Sequence, residues 1–329
     1  MSASPPTAPR PIVVVTRRLP AAVERHATEL FDARLNPTDT PLTPDQLADA
    51  MRSADALLPT VSDPIPAAIL GVTPRRAKII ANFGVGYNNI DVATARSLGI
   101  VVTNTPDVLT DETADLAITL LLMAARRTGE GERHVRAGQW TGWRPTHMLG
   151  TRVSGKTLGI LGLGRIGRAV AKRASSGFGM RVIYYDPPVP LGEARACGAS
   201  PRESVEEVLR ESDFVSLHMP ASPENRHLIN AERLAVMPRH AILINTARGD
   251  VIDEVALAAA LARGTIGGAG LDVYEREPKV DPALLKLENV VLLPHLGSAT
   301  TETRVAMGER ALANLEAYFA GIPPRDRVA

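Results

Sequence analysis

Residues 156–186, KTLGILGLGRIGRAVAKRASSGFGMRVIYYD, constrain the fold more than any other stretch of the chain. A short apolar run, Thr157 to Leu161, leads directly into Gly162-Leu163-Gly164-Arg165-Ile166-Gly167. A helical pattern follows, with Val170, Ala171 and Ala174 on one side, and then a β-rich run, Arg181 to Tyr185, ending at Asp186. Gly162 permits a tight strand-to-helix turn, Gly164 lets the backbone approach a pyrophosphate, and Gly167 lets the helix pack closely on the sheet. The helix N-terminus adds free N–H groups and partial positive charge, both suited to phosphate. Asp186 stands 19 residues beyond Gly167 (186 − 167), where a carboxylate can accept hydrogen bonds from an adenosine ribose. A lone G-x-G-x-x-G also occurs in turns that bind nothing. Strand, helix, second strand and terminal acid together make this stretch a dinucleotide site.

At 329 residues the chain is long enough for two domains. A formal net charge of +1 gives no electrostatic reason to expect nucleic acid or an anionic membrane as partner. The single Cys197 cannot pair within the chain, which fits a reducing, cytoplasmic setting. The Pro/Ser-rich start, MSASPPTAPRP, lacks signal-peptide architecture, and the apolar runs are too short to span a bilayer.

Before residue 110, short apolar runs alternate with helical patterns. Strands are expected at 12–15, 56–58, 78–82 and 100–103, with helices at 21–30, 44–52 and 92–98. Thr43, Pro44 and Gln46 form a capping-box start for the second helix. Such alternation implies a parallel sheet covered on both faces. Thr110 is expected to cap a long helix running to about residue 127 and linking the two domains. A loop with two tryptophans, GQWTGWRPTHMLG, comes next. Beyond Asp186, strands are expected at 214–217, 241–245, 268–273 and 290–293, with helices at 205–210, 231–236, 254–262, 282–287 and 301–319. The second half thus has about six strands. The expected fold class is α/β, with doubly wound parallel sheets.

Ligands of such sheets sit beyond the carboxyl ends of the strands. There the chain places Thr246-Ala247-Arg248-Gly249-Asp250, then Tyr274-Glu275-Arg276-Glu277-Pro278, then Pro294-His295-Leu296-Gly297-Ser298. An arginine can clamp a carboxylate with its planar fork. A histidine can protonate a carbonyl oxygen, and a carboxylate beside it favours the imidazolium. Reduction of a 2-oxo acid needs that set. Taken singly, Arg248 could serve a turn, Glu277 could be a solvated loop acid and His295 a capping residue. His218 also follows a strand and could border an adenine site. No metal-ligand pattern is present.

These motifs, with NFGVGYNNID (82–91), NTPDVLTDETADLAITLLL (104–122), LINTARGDVIDE (243–254), GAGLDVYEREP (268–278) and LLPHLGSAT (292–300), resemble the D-isomer-specific 2-hydroxyacid dehydrogenases from about Ile12 onward. The resemblance implies two Rossmann-like or flavodoxin-like domains and an active-site cleft between them. The substrate domain would be discontinuous, 1–108 plus 296–329, with a NAD-binding domain at 109–295. It implies that Arg248 binds the substrate, that His295 is the acid/base, and that Glu277, 18 residues earlier (295 − 277), is its partner. The same comparison puts the backbone of Val85 and Gly86 at the substrate carboxylate, with Ser298 also on the substrate side. It puts Thr113, Thr246, Ala247 and Asp272 at the cofactor, beside Gly162–Gly167, Asp186 and His218.

Within the family the chain looks most like glyoxylate and hydroxypyruvate reductases. That subgroup implies a homodimer, with Trp140 or Trp143 reaching a partner's pocket or packing at the interface. Asp186 favours two ribose hydroxyls over a 2′-phosphate, and Pro187-Pro188-Val189-Pro190 supply no cation, so NAD(H) is expected over NADP(H). The alternatives are 2-ketogluconate reductase and phosphoglycerate or phosphite dehydrogenase activities, and a non-enzymatic NAD-sensing co-repressor. The end at Ala329 leaves no room for the regulatory domain of long phosphoglycerate dehydrogenases. Glu277, where formate dehydrogenases carry glutamine, argues against that activity.

Overall fold

The structure, a computed structural model, describes residues 9–329; residues 1–8 of the Pro/Ser-rich start lie outside the described residues. The chain divides into two compact units. One is formed by the chain up to Leu109 together with Ala299–Ala329, the other by Thr110–Ser298.

The first unit is built on β1 (Ile12–Val15), β2 (Asp32–Arg34), β3 (Ala56–Leu58), β4 (Ile79–Ala81) and β5 (Val101–Thr103). These pair in parallel in the order β2-β1-β3-β4-β5, the flavodoxin-like winding. Helices α1 (Ala21–Leu30), α2 (Pro44–Ser53), α3 (Ala67–Leu70) and α4 (Val92–Ser97) connect them. The capping box forms as expected: the Thr43 hydroxyl accepts from Gln46 N–H, and Gln46 Oε1 accepts from Thr43 N–H. Leu47, Met51, Leu57, Ile80 and Val102 fill the core on the α2 side. The helix Thr301–Phe319 packs on α1, where a side chain at Gly308 would strike Val23 Cγ1 at 2.5 Å.

The second unit carries β6 (Thr157–Leu161), β7 (Arg181–Tyr185), β8 (Ala199–Pro201), β9 (Phe214–Leu217), β10 (Ile242–Asn245), β11 (Gly268–Leu271) and β12 (Val290–Leu292). Their order is β12-β11-β10-β9-β6-β7-β8, all parallel. Counted from β6, this is the dinucleotide-binding order with one further strand. The topological switch point falls between β6 and β9. The helices are α5 (Thr110–Arg126), α6 (Thr128–Arg136), α7 (Arg165–Phe178), α8 (Leu191–Ala196), α9 (Val205–Glu211), α10 (Ala231–Val236) and α11 (Glu254–Ala262). Strand side chains alternate between two cores: Ile242 and Ile244 join Leu158, Ile160 and α5, whereas Leu243 joins Val215, Leu257 and Leu261. Burial on both faces explains why these strands read as unbroken apolar runs.

The differences from expectation have physical causes. The sheets hold five and seven strands rather than four and about six: the additions are the three-residue edges β2 and β8, whose mostly exposed residues form no apolar run. Segment 282–287 makes only a 3-10 turn, Leu284–Lys286. Thr110 is the first helical residue of α5 rather than the cap before it, and α5 lies wholly within the second unit, along α7, β10 and β11. No helix among the described residues is long and apolar enough to cross a membrane.

Candidate active site

The glycine loop joins β6 to α7. Gly162 adopts φ 90°, and a Cβ there would lie 2.8 Å from His218 C, so the turn runs against the chain leaving β9. A Cβ at Gly167 would lie 2.2 Å from the Gly162 carbonyl oxygen, which only hydrogen permits. Gly164 differs: a Cβ there would meet nothing within 4 Å. Its bareness serves no packing need and leaves the N-terminus of α7 open. Leu163 is buried, while Gly164 and Arg165 are exposed at that helix start and Ile166 is half-buried.

Asp186 follows β7, and its Oδ2 accepts the Leu163 N–H at 2.7 Å. One carboxylate oxygen thus anchors the glycine loop. His218 follows β9; its Nε2 lies 2.8 Å from Ser216 Oγ, and burial pushes its pKa down to about 4, so the ring is neutral at pH 7. Thr246, after β10, buries its hydroxyl with no partner. An open helix N-terminus with an unfilled Gly164 at the switch point, and an orphaned buried hydroxyl after the neighbouring β10, fit a pyrophosphate-bearing dinucleotide.

The second set of groups lies after β10, β11 and β12. Asn245 ends β10, and its side chain braces the next turn: Nδ2 donates to Arg248 O at 2.8 Å and Oδ1 accepts from Ala247 N–H at 3.0 Å. Arg248 Nη1 donates to Ala247 O at 2.6 Å. Burial lowers the pKa of its guanidinium, opposed by the charges of Glu277 and Asp250. Gly249 then abuts the next loop, since a Cβ there would fall 1.9 Å from Tyr274 C. The Arg-Gly pair therefore does more than turn the chain: glycine lets the arginine loop lie against the glutamate loop.

In that loop, Glu277 Oε1 accepts the Tyr274 N–H at 3.1 Å and Oε2 lies 2.7 Å from His295 Nδ1. Burial raises the Glu277 pKa, but its hydrogen bonds and the charges of His295 and Arg248 outweigh that and hold it below its ordinary value. Glu277 is therefore ionised and can only accept, which assigns the Nδ1 proton to His295. The other ring nitrogen is left for chemistry. His295 itself has φ 56°, a left-handed conformation held by the groups around it. Its N–H donates to Asp272 O at 2.9 Å, while the Asp272 carboxylate accepts from Leu296 and Gly297 N–H at 2.6 and 2.8 Å. Thr113 Oγ1 donates to Gly297 O at 3.0 Å. Burial raises the Asp272 pKa, opposed by those N–H groups and by His295.

The structure thus brings Arg248, Glu277 and His295 together and sets Thr113 and Asp272 beneath the His295 loop. Ser298 is half-buried at the end of the second unit. Trp140 and Trp143 lie in the loop after α6, exposed to 56% and 82%, and among the described residues neither makes a hydrogen bond or ring contact with the triad. Val85 and Gly86 lie in the loop after β4 of the first unit. Asn245 and Tyr274 escaped sequence reasoning. A polar residue at the last position of a buried strand was the available signal for Asn245.

Residues 118–297 match the model of the D-isomer specific 2-hydroxyacid dehydrogenase NAD binding domain. The glyoxylate reductase of Korarchaeum cryptofilum is 48% identical over 96% of this chain and 95% of its own length. The chain belongs to the D-isomer specific 2-hydroxyacid dehydrogenases. As a member of that family it is an oxidoreductase with a nicotinamide-cofactor domain. Among solved dehydrogenase structures, a glyoxylate reductase from Paecilomyes thermophila is 33% identical, with a TM-score of 0.86 over 98% of this chain and 99% of that one. An NADPH-dependent glyoxylate/hydroxypyruvate reductase from Sinorhizobium meliloti, bound to NADP and malonate, is 36% identical, with a TM-score of 0.86 over 97% of each chain.

Proposed function

We propose that this dehydrogenase reduces glyoxylate or hydroxypyruvate to the D-2-hydroxy acid, using NADH in preference to NADPH. The observation that carries the reading is the His295–Glu277 pair at 2.7 Å, with Arg248 brought to the same loops by the Gly249–Tyr274 approach. Gly162–Gly167, Asp186, His218, Thr246 and Ala247 would hold the dinucleotide, which would supply the hydride when bound. Arg248 binds the substrate's carboxylate and carbonyl oxygen, and Val85 and Gly86 contribute backbone N–H groups to the carboxylate. Protonated His295 delivers its Nε2 proton to the carbonyl oxygen, and ionised Glu277, accepting from Nδ1–H, fixes the ring's tautomer and stabilises its charged form. Asp272 and Thr113 fix the loop that carries it, and Ser298 borders the substrate.

Asp186 supports the cofactor choice, because a carboxylate beside a 2′-phosphate is repulsive. The exposed Val135, Trp140, Trp143 and Leu149 support a homodimer that covers them. Buried, unpaired Cys197 supports a cytoplasmic setting.

Oxidation of NADH and NADPH with glyoxylate, hydroxypyruvate, pyruvate, 2-ketogluconate and phosphohydroxypyruvate tests this function. The highest kcat/KM should fall on glyoxylate or hydroxypyruvate with NADH. A tenfold preference for NADPH, about 1.4 kcal/mol in the wrong direction, would overturn the cofactor choice. The same margin for another acid would overturn the substrate.

A further inference from the structure

The loop after β4 carries a device that the triad does not explain. The carbonyls of three consecutive residues are each held by a donor from the first unit's interior. Gly84 O accepts from Thr105 N–H at 3.0 Å and from Asn82 Nδ2 at 3.4 Å. Val85 O accepts from Asn104 Nδ2 at 2.8 Å, and Gly86 O from Asn82 Nδ2 at 2.9 Å. A trans peptide is planar, with its N–H opposed to its C=O. Fixing these carbonyls therefore turns the N–H groups of Val85, Gly86 and Tyr87 away from the donors. Among the described residues none of the three N–H groups donates to a protein acceptor. Burial falls along the same run, from buried Gly84 through half-buried Val85 and Gly86 to exposed Tyr87.

Both amides are themselves fixed. Asn82 is fully buried, and its Oδ1 accepts from Asn89 Nδ2 at 3.2 Å, which settles that Nδ2 faces the loop. Asn104 is gripped at its backbone: its N–H donates to Asp326 O at 3.2 Å and its carbonyl accepts from Asn314 Nδ2 at 3.4 Å. Asp326 is buried, and it accepts from Arg310 Nε and Nη2 at 2.5 and 2.8 Å and from Asn314 Nδ2 at 3.0 Å. An ion pair in the last helix and the segment after it thus reaches Val85 through Asn104.

We propose that Asn82 and Asn104 are positioning residues, which aim the N–H groups of Val85, Gly86 and Tyr87 at the substrate carboxylate, with Asn314 and Asp326 as their support. The proposal rests on the functional reading above and extends it to Tyr87 N–H and to four side chains that touch no substrate. Aimed N–H groups bind the carboxylate alike in ground and transition states, so their loss raises KM more than it lowers kcat.

The test is Asn104→Asp, which keeps shape and replaces the donor to Val85 O with an acceptor. KM for glyoxylate should rise about tenfold or more, the scale of one lost hydrogen bond to a charged group, while kcat falls by less. The dissociation constant of NADH should stay within about twofold, since the variant lies outside the dinucleotide unit. In wild type, titration with oxamate should shift the amide resonances of Val85, Gly86 and Tyr87, and in the variant those shifts should shrink. Unchanged KM and unchanged oxamate shifts in the variant would overturn the proposal. Should the variant fail to fold, the wild-type titration decides: no oxamate-dependent shift at the three amides overturns it. Oxamate shifts in a protein that reduces no 2-oxo acid would support the anion site and sink the functional reading instead.

Discussion

The Tyr274 hydroxyl donates to Leu293 O at 2.8 Å, tying the loop that carries Glu277 to the loop that carries His295. Tyr274 is buried, and its own N–H holds the second oxygen of Glu277. One residue therefore braces both members of the Glu277–His295 pair. Burial, reinforced by the nearby carboxylates, raises the phenol's pKa, so it stays protonated as a donor. Tyr274→Phe removes the hydroxyl and leaves Leu293 O without its donor. It should destabilise the protein by about 1 kcal/mol and lower kcat several-fold, with unchanged affinity for NADH. Urea unfolding and steady-state kinetics check this; wild-type kcat would detach Tyr274 from the pair.

The glycine loop predicts two opposite alanine phenotypes. At Gly164 a methyl group meets no protein atom within 4 Å, so Gly164→Ala should keep its melting temperature and bind NADH at least tenfold more weakly, losing about 1.4 kcal/mol of binding. At Gly167 the methyl group would sit 2.2 Å from a backbone carbonyl, so Gly167→Ala should lower stability by about 1–3 kcal/mol. Calorimetry and NADH titration separate the two. Equal loss of stability in both would mean that Gly164 is a packing glycine.

How much of this was legible follows from where each signal lies in the chain. Strands buried on both faces, such as β9 and β10, announce themselves as apolar runs. The edge strand Asp32–Arg34 is mostly exposed and polar, as an edge must be, and leaves no run to read. Helix α6 buries no side chain and has no apolar stripe. The triad's residue types could be placed after their strands because each loop is local. Their bracing could not: the Gly249–Tyr274 approach, the Tyr274–Leu293 bond and the Asn104–Val85 bond join residues 25, 19 and 19 positions apart (274 − 249, 293 − 274, 104 − 85). No local pattern records such pairs.

His218 predicts a pH dependence of stability. The unfolded chain takes up this proton near pH 6.5, whereas burial delays it in the folded protein until about pH 4. Between those values the unfolded state holds more protons, so unfolding free energy falls as pH drops and rises as pH increases. The full effect, reached below about pH 4, is roughly 3 kcal/mol, and none of it is present above pH 7. Chemical denaturation of wild type and His218→Gln at pH 7.5 and pH 5 should show wild type losing more stability over that interval. Parallel losses would show that His218 is protonated in the folded protein.

His295, oriented by Glu277, is proposed to supply the proton for carbonyl reduction. The most direct measurement is NADH oxidation at saturating glyoxylate by wild type and His295→Gln, alongside NADH binding by fluorescence titration. kcat should fall by about 10²–10⁴ while NADH affinity stays within about twofold, since the proposed role of the ring lies at the substrate's oxygen and not at the dinucleotide. A His295→Gln variant turning over at the wild-type rate would contradict it.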